Sequence, residues 1–309
     1  MGWIAAISMA LLLAGSAPAG SAPAGASLPG AGTPRAEMVV DTAWVAARLD
    51  APDLVILQIG DAAAYDAGHI PGARLLNLAD ISAPPTGSDP LFLEMPEAEA
   101  LRAKLEALGV SDTSTVIVYP TRDIQSATRA VFVLDTAGLG PRTRLLEGGL
   151  PAWKAEGRPL STRPRAVVPG RLSPIVFRPI VVDADYVKRH VRAPGYVVVD
   201  ARAPEFYSGE KAGGPPGKPH RAGHIAGARS VPFSSVTTPD LMLAPEAEIA
   251  ARFEAAGVKP GDRIIAYCHV GQQASATLFA ARSVGLDVLL YDGSFEEWSR
   301  LGGEVEAGK

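Results

Sequence analysis

RIIAYCHVGQQASATLFAA, residues 263–281, joins three pieces with different physical preferences. Ile264-Ile265-Ala266-Tyr267 is an apolar run of the length of a buried strand. Ala274 to Ala281 is rich in helix formers and holds no Gly or Pro. Between them stands Cys268, the only cysteine in 309 residues. A cysteine at a strand end, followed by a tight turn and a helix start, faces backbone N–H groups that have no helical partner. Those donors, with the positive end of the helix dipole, favour an anion over a neutral thiol. The thiolate is the reactive form, so the spacing predicts a nucleophile of lowered pKa. A lone cysteine is more often a small buried hydrophobe. Here the polar, glycine-containing loop after it argues for exposure.

Working outward, the chain repeats itself. Val39-Val40-Asp41 recurs as Val181-Val182-Asp183, each Asp placed to cap a short helix. Leu54 to Ile59 pairs with Tyr196 to Asp200, dense apolar runs of strands covered on both faces. GHIPGA at 68–73 matches GHIAGA at 223–228. Pro96 to Gly109 and Pro245 to Gly257 read as helices, with Pro at the first turn and Gly past the end. Thr115 to Tyr119 pairs with Arg263 to Tyr267, and Gly148-Gly149-Leu150 to Trp153 with Gly293-Ser294-Phe295 to Trp298. Strands alternating with helices in this way predict two α/β domains, each a central parallel sheet with helices on both faces. The expected domains are residues 35–160 and 175–309, with 161–174 as linker inside a Pro- and Arg-rich run.

The halves differ where it matters. Pro120 aligns with Cys268 and has neither a nucleophile nor a backbone N–H. Gln58-Ile59-Gly60 stands where the second half has Asp200-Ala201-Arg202. The second half is therefore the expected catalyst, the first a scaffold that walls the cleft. His69 and His224 occur in both, so they read as structural. The insert Ser208 to Arg221 is confined to the second half and reads equally as a surface loop at the active-site mouth or as a plain flexible insert.

Composition bounds the rest. A hydrophobic content of 47% with 20% charged residues describes a globular protein, and a net charge of −4 leaves no basic footprint for nucleic acid. One cysteine excludes a disulfide framework, and five scattered histidines show no zinc spacing, so neither a metal nor another cofactor is expected. Ile4 to Ala14 is an apolar run of signal-peptide length, followed by SAPAGSAPAG with Ala-x-Ala cleavage sites. Residues 1–34 are thus read as a signal peptide and tail, and the mature protein as periplasmic or secreted, without stable membrane association. The alternative is a disordered Ala/Gly/Pro tail on a cytoplasmic protein.

These residues carry a pattern. Asp200-Ala201-Arg202, Gly-His-Ile-x-Gly-Ala in both halves, the strand ending in Tyr267-Cys268, and Asp292-Gly293 before Trp298 together resemble the tandem-domain rhodaneses, the thiosulfate sulfurtransferases. The resemblance covers nearly everything from Met38 onward. It implies an inert N-terminal and an active C-terminal domain, with the active site near their interface. It also implies that Cys268 takes the outer sulfur of thiosulfate, releases sulfite, and passes the sulfur as a persulfide to cyanide or a thiol. Backbone N–H groups of His269, Val270, Gly271, Gln272 and Gln273 would form the cradle. His269, when protonated, would assist the thiolate or contact the sulfonate, and the Gln272 and Gln273 amides would donate to it. Arg202, braced by Asp200, would offer its fork of donors to the anion. The expected partners are a small anionic donor and a thiol or cyanide acceptor, served by a monomer. 3-Mercaptopyruvate is the competing donor, although the loop fits that family's pattern only at Gly271. A persulfide carrier or sensor without turnover is the non-enzyme alternative. A phosphatase is rejected, because Ala274 stands where the Cys-x5-Arg cradle needs its Arg. A cysteine protease has no signature here.

Overall fold

The computed structural model describes residues 34–215 and 217–308, together with Met1. Apart from Met1 and Pro34, the expected export segment lies outside the described residues.

The first half supplies strands β1 (Val39–Val40), β2 (Leu54–Ile59), β3 (Arg74–Leu76), β4 (Thr115–Pro120) and β5 (Thr143–Leu146). They form one parallel sheet in the order β1-β5-β4-β2-β3. The second half repeats the arrangement. Strands β6 (Val181–Val182), β7 (Tyr196–Asp200), β9 (Arg229–Ser230), β10 (Arg263–Tyr267) and β11 (Asp287–Tyr291) pair in parallel as β6-β11-β10-β7-β9. A small antiparallel pair, β8 (His224–Ile225) with β12 (Val305–Glu306), closes one edge. Helices α1 (Arg35–Met38), α2 (Thr42–Ala46), α3 (Ala62–Ala67), α4 (Ala98–Ala107), α5 (Ile124–Thr136) and α6 (Gly149–Ala155) clothe the first sheet. Their counterparts are α7 (Ala184–His190), α8 (Pro204–Tyr207), α9 (Glu246–Ala255), α10 (Gln272–Ser283) and α11 (Ser294–Arg300). This is the expected α/β architecture, built twice. Among the described residues no helix is long and apolar enough to cross a membrane.

Local chemistry explains the repetition. Asp41 and Asp183 each accept a hydrogen bond from the third backbone N–H onward, at Trp44 and Tyr186, and so cap α2 and α7. Trp153 and Trp298 each donate from Nε1 to a carbonyl six residues ahead, at Pro159 and Glu304. His69 and His224 are stacked on Tyr65 and Tyr207, and each Nδ1 bonds the carbonyl of that tyrosine. Both histidines are structural, and the GHIxGA motif is a turn.

The halves are joined through their central helices. α5 and α10 lie against each other, and both are buried on nearly every face, with their buried polar residues hydrogen-bonded or ion-paired, as Thr128, Arg129 and Asp135 are. One apolar cluster runs through both domains, taking in Val118 and Phe132 as well as Val199 and Ile265. At one end of this seam Asp135 of α5 accepts from Arg178 and from Arg282 of α10. At the other, Arg129 of α5 donates to Asp292, 2.7 Å away, and both are buried.

Beside that pair the segment before α4 crosses onto the second domain. Phe92 N–H donates to Glu296 Oε2 at 3.0 Å and Met95 N–H to Asp292 Oδ2 at 2.7 Å. Between them, Oε1 of Glu94 is buried without a partner. Burial first, then the charges of Asp292 and Glu297, raises the Glu94 carboxyl from its ordinary 4.5 to about 8. The sign follows. A protonated Glu94 suits the folded seam, so its contribution is whole below the unfolded value, declines above it, and is lost as pH rises through about 8. Glu94→Gln should therefore flatten the fall in urea midpoint between about pH 5 and 8. Equal slopes for variant and parent would remove Glu94 from the seam's pH dependence.

Candidate active site

Cys268 follows β10, a central strand of the second sheet, and opens the loop that leads into α10. Ligand crevices in parallel α/β sheets lie beyond such carboxyl ends. The loop is short because Gly271 takes φ +81° directly before Gln272, the first residue of α10. A β-carbon there would stand 3.1 Å from both Arg129 Nη1 and Asp292 Oδ1, so the turn is pressed onto the interdomain ion pair. The second domain's other turn supports the loop from beneath. Ser294, itself in the left-handed region at φ 54°, accepts from Cys268 N–H at 3.2 Å. Phe295 N–H donates to Cys268 O and Glu296 N–H to His269 O.

The sulfur lies inside a ring of main-chain amides from Val270, Gln273 and Ala274. The expected cradle ran from His269 to Gln273. Observed donors begin one residue later and end one residue later, because the helix places its first free N–H groups there. Ala274 contributes a backbone donor that its methyl side chain could not announce.

Two expectations about Cys268 are corrected. It is fully buried rather than exposed. Its thiol is raised above the ordinary value, not lowered. Burial is the largest cause, and the amides of Ala274, Val270 and Gln273 pull against it without overcoming it. The carbamidomethylation rate of Cys268 should accordingly keep rising with pH beyond the ordinary thiol range of about 8.5. A plateau near neutrality would show that the amides prevail.

Asp200 and Arg202 form one buried unit at the end of β7. Arg202 donates from Nε and Nη2 to the Asp200 carboxylate and from Nη2 to Gly223 O. Tyr267 O–H donates to the same carboxylate at 2.7 Å. The expected open fork is thus mostly spent on structure; Nη1 alone is buried without a partner. The guanidinium lies 4.0 Å over the Phe295 ring and within the field of Cys268. Register makes the contrast between halves concrete. β7 sets Asp200 opposite Tyr267, and β2 sets Gln58 opposite Tyr119, so Gly60 occupies the position of Arg202. The first half therefore has no guanidinium beside Pro120.

The remaining expected binders divide. Gln272 is withdrawn from any ligand, since its Nε2 donates to Ser126 Oγ of the first domain at 2.7 Å. Gln273 offers its amide to the sulfur, while its side-chain Oε1 is buried without a partner. Val270 contributes its backbone, and Gly271 its conformation. His269, expected to act when protonated, does not stand protonated beside the thiol at rest. Burial and the charge of Arg202 push it down to about 4, so it is neutral at physiological pH. Phe206, which stands where some family members carry a second Arg, meets the His269 ring edge-on at 4.7 Å.

Sequence reasoning missed Ser294, Phe295, the Arg129–Asp292 pair and His220. A signal existed for the first. Gly149, its repeat equivalent, also has positive φ (50°), and a side chain in that conformation marks a constrained turn. The first domain does wall the site, through Ser126 and the segment 92–95. Among the described residues no group of three or more His, Cys, Asp or Glu is placed to hold a metal.

Fold and site together define a two-domain α/β protein with a buried, amide-lined cysteine in its second half alone. The chain belongs to the rhodanese family: the Rhodanese-like domain matches residues 41–156 and again 183–301. It is 32% identical to a thiosulfate sulfurtransferase of Azotobacter vinelandii over 84% of this chain and 93% of that protein. It is 34% identical to a probable 3-mercaptopyruvate sulfurtransferase of Pseudomonas aeruginosa (82% and 92% covered). It is 32% identical to the sulfur carrier protein TtuD of Thermus thermophilus (86% and 95%). Among solved structures it superimposes on YnjE with a TM-score of 0.76 at 26% identity, covering 89% of this chain and 70% of that one. Two of these relatives are named as sulfurtransferases and a third as a sulfur carrier.

Proposed function

We propose that the protein is a sulfurtransferase in which Cys268 takes the sulfane sulfur of thiosulfate and hands it to a thiophilic acceptor. The amide ring around the Cys268 sulfur carries this reading. Three backbone N–H groups lower the Cys268 thiol against burial and the Asp200 charge, and donors of this kind stabilise negative charge on sulfur.

In the first step the Cys268 thiolate attacks the outer sulfur of thiosulfate. A new S–S bond forms, the S–S bond of thiosulfate breaks, and sulfite leaves with its electron pair. The terminal sulfur of the resulting persulfide keeps the negative charge beside the amides. In the second step cyanide or a thiolate attacks that terminal sulfur, and Cys268 departs as thiolate. Each step breaks one weak bond, which is the gain from a covalent carrier. Arg202 supplies a positive potential near the sulfur while Asp200 and Tyr267 hold it in place. The raised thiol makes deprotonation a cost of the first step only, since each turnover returns a thiolate.

Thiosulfate is favoured over 3-mercaptopyruvate as donor because the loop His269-Val270-Gly271-Gln272-Gln273 shares only its glycine with that family's pattern. A carrier that holds one sulfur without turnover is separated from an enzyme by steady-state thiosulfate:cyanide transfer. The same reading includes export, a monomeric state, and small molecules rather than nucleic acid as partners. Treating the protein with thiosulfate and weighing it intact tests the core of the proposal. The mass should rise by one sulfur atom, and cyanide should remove it.

A further inference from the structure

The insert confined to the second half lies at the mouth of the candidate site. Its described residues, 208–215 and 217–221, fold back over the catalytic loop and place His220 in the roof of the site. His220 N–H donates to Gly213 O at 2.7 Å, which closes the insert on itself. Gly213 lies against both imidazoles. A β-carbon there would stand 2.5 Å from His269 Nδ1 and 3.5 Å from His220 Nδ1. The two rings are 5.7 Å apart, and Phe295 borders His220 edge-on.

His220 is only 7% exposed, yet neither of its nitrogens has a hydrogen-bond partner. His269 Nδ1 and Arg202 Nη1 are buried without partners in the same place. Buried polar atoms are nearly always paired, so four orphans on three neighbouring side chains point to a polar occupant. Structural histidines in this protein look different. His69 and His224 are stacked on tyrosines, with Nδ1 bonded to a carbonyl.

We infer that His220 and His269, with the free edge of Arg202, receive the sulfonate end of the donor, and that binding this dianion draws a proton onto the imidazole pair. The inference rests on the sulfurtransferase reading and deepens it by assigning where the donor's charge is held. The charge balance of the pocket supports it. Arg202 and Asp200 face the pair from β7, Arg300 from α11, and Cys268 from the catalytic loop. The insert's own cations are engaged elsewhere, Lys211 with Glu205 at 3.3 Å, Lys218 with Asp89 at 2.6 Å and Arg221 with Gly303 O. Burial and the neighbouring guanidinium groups push both rings toward the neutral form, His269 to about 4 and His220 in the same direction. A neutral imidazole offers one N–H donor and an imidazolium two. An incoming dianion therefore favours the protonated form, and its affinity must rise as pH falls.

Thiosulfate binding to full-length Cys268→Ser, which has no thiol to titrate, tests this by calorimetry in buffers of different ionisation heat between about pH 5.5 and 8. About one proton should be taken up per thiosulfate at neutral pH, with binding at least about a hundredfold tighter at the acid end. His220→Gln and His269→Gln in that background should each reduce the proton uptake and weaken binding about tenfold. Binding without proton uptake or pH dependence overturns the assignment, and that result needs no histidine variant to fold. In parallel, the protein with Cys268 intact is weighed after thiosulfate. Sulfur loading without proton-linked binding overturns this receptor alone, and no loading overturns the sulfurtransferase reading beneath it as well.

Discussion

Cys268→Ser should lower thiosulfate:cyanide transfer by about a thousandfold or more and leave no sulfur on the protein after thiosulfate treatment. The hydroxyl is a far weaker acid than a thiol and forms no stable bond to sulfane sulfur, so the two-step route closes. The fold should be nearly indifferent. Serine fits the volume, and its oxygen meets the N–H groups of Val270, Gln273 and Ala274 that now face the sulfur. The urea midpoint should shift by no more than about 1 kcal/mol equivalent. Intact-protein mass and steady-state transfer, measured on parent and variant together, decide the matter. A variant that still gains sulfur would move the carrier elsewhere, and no other cysteine exists to take it.

The second large effect concerns the seam between the domains. Arg129→Met should destabilise the protein by about 3–5 kcal/mol, the cost of leaving one partner of a buried ion pair alone. Arg129 is fully buried, and Asp292 would keep only the Met95 N–H as a partner. Arg129 also donates to the Leu93 carbonyl, so the segment 92–95 would lose a fastening as well. Asp292→Asn in the same chain should recover part of the loss, because the orphaned charge is removed. Denaturant unfolding of the two single variants and the double variant measures the coupling. Transfer should fall with stability, since Gly271 is packed against this pair and the catalytic loop takes its shape from it. Independent losses, summing in the double variant, would mean that the pair does not fasten the seam.

Both effects show how far the linear order of residues reaches. The duplicated strands, the GHIxGA turns and the N-cap aspartates are local signals, and each depends on residues within one element. Their repetition makes the two-sheet architecture legible, and the single cysteine between a strand and a helix makes the site legible. Pro120 opposite Cys268 marks the silent half because a missing thiol and a missing N–H can be read directly.

Other features depend on what comes to lie beside a residue. Gln272 reads as a substrate amide until Ser126, 146 positions away, takes its hydrogen bond. Arg202 reads as an open fork until Asp200 and Gly223 use most of it. His220 reads as one more residue of a polar insert until the glycines fold it over His269.

The sequence by itself determined the repeated α/β plan and the position of the one cysteine between a strand and a helix. Periodicity, capping and turn chemistry act over a few residues and need no partner from afar. Only the tertiary structure decided which way that thiol's pKa is shifted and the makeup of its surroundings. Burial of Cys268 outweighs the amides meant to lower its pKa, and burial is a property of the packed chain that no single stretch contains.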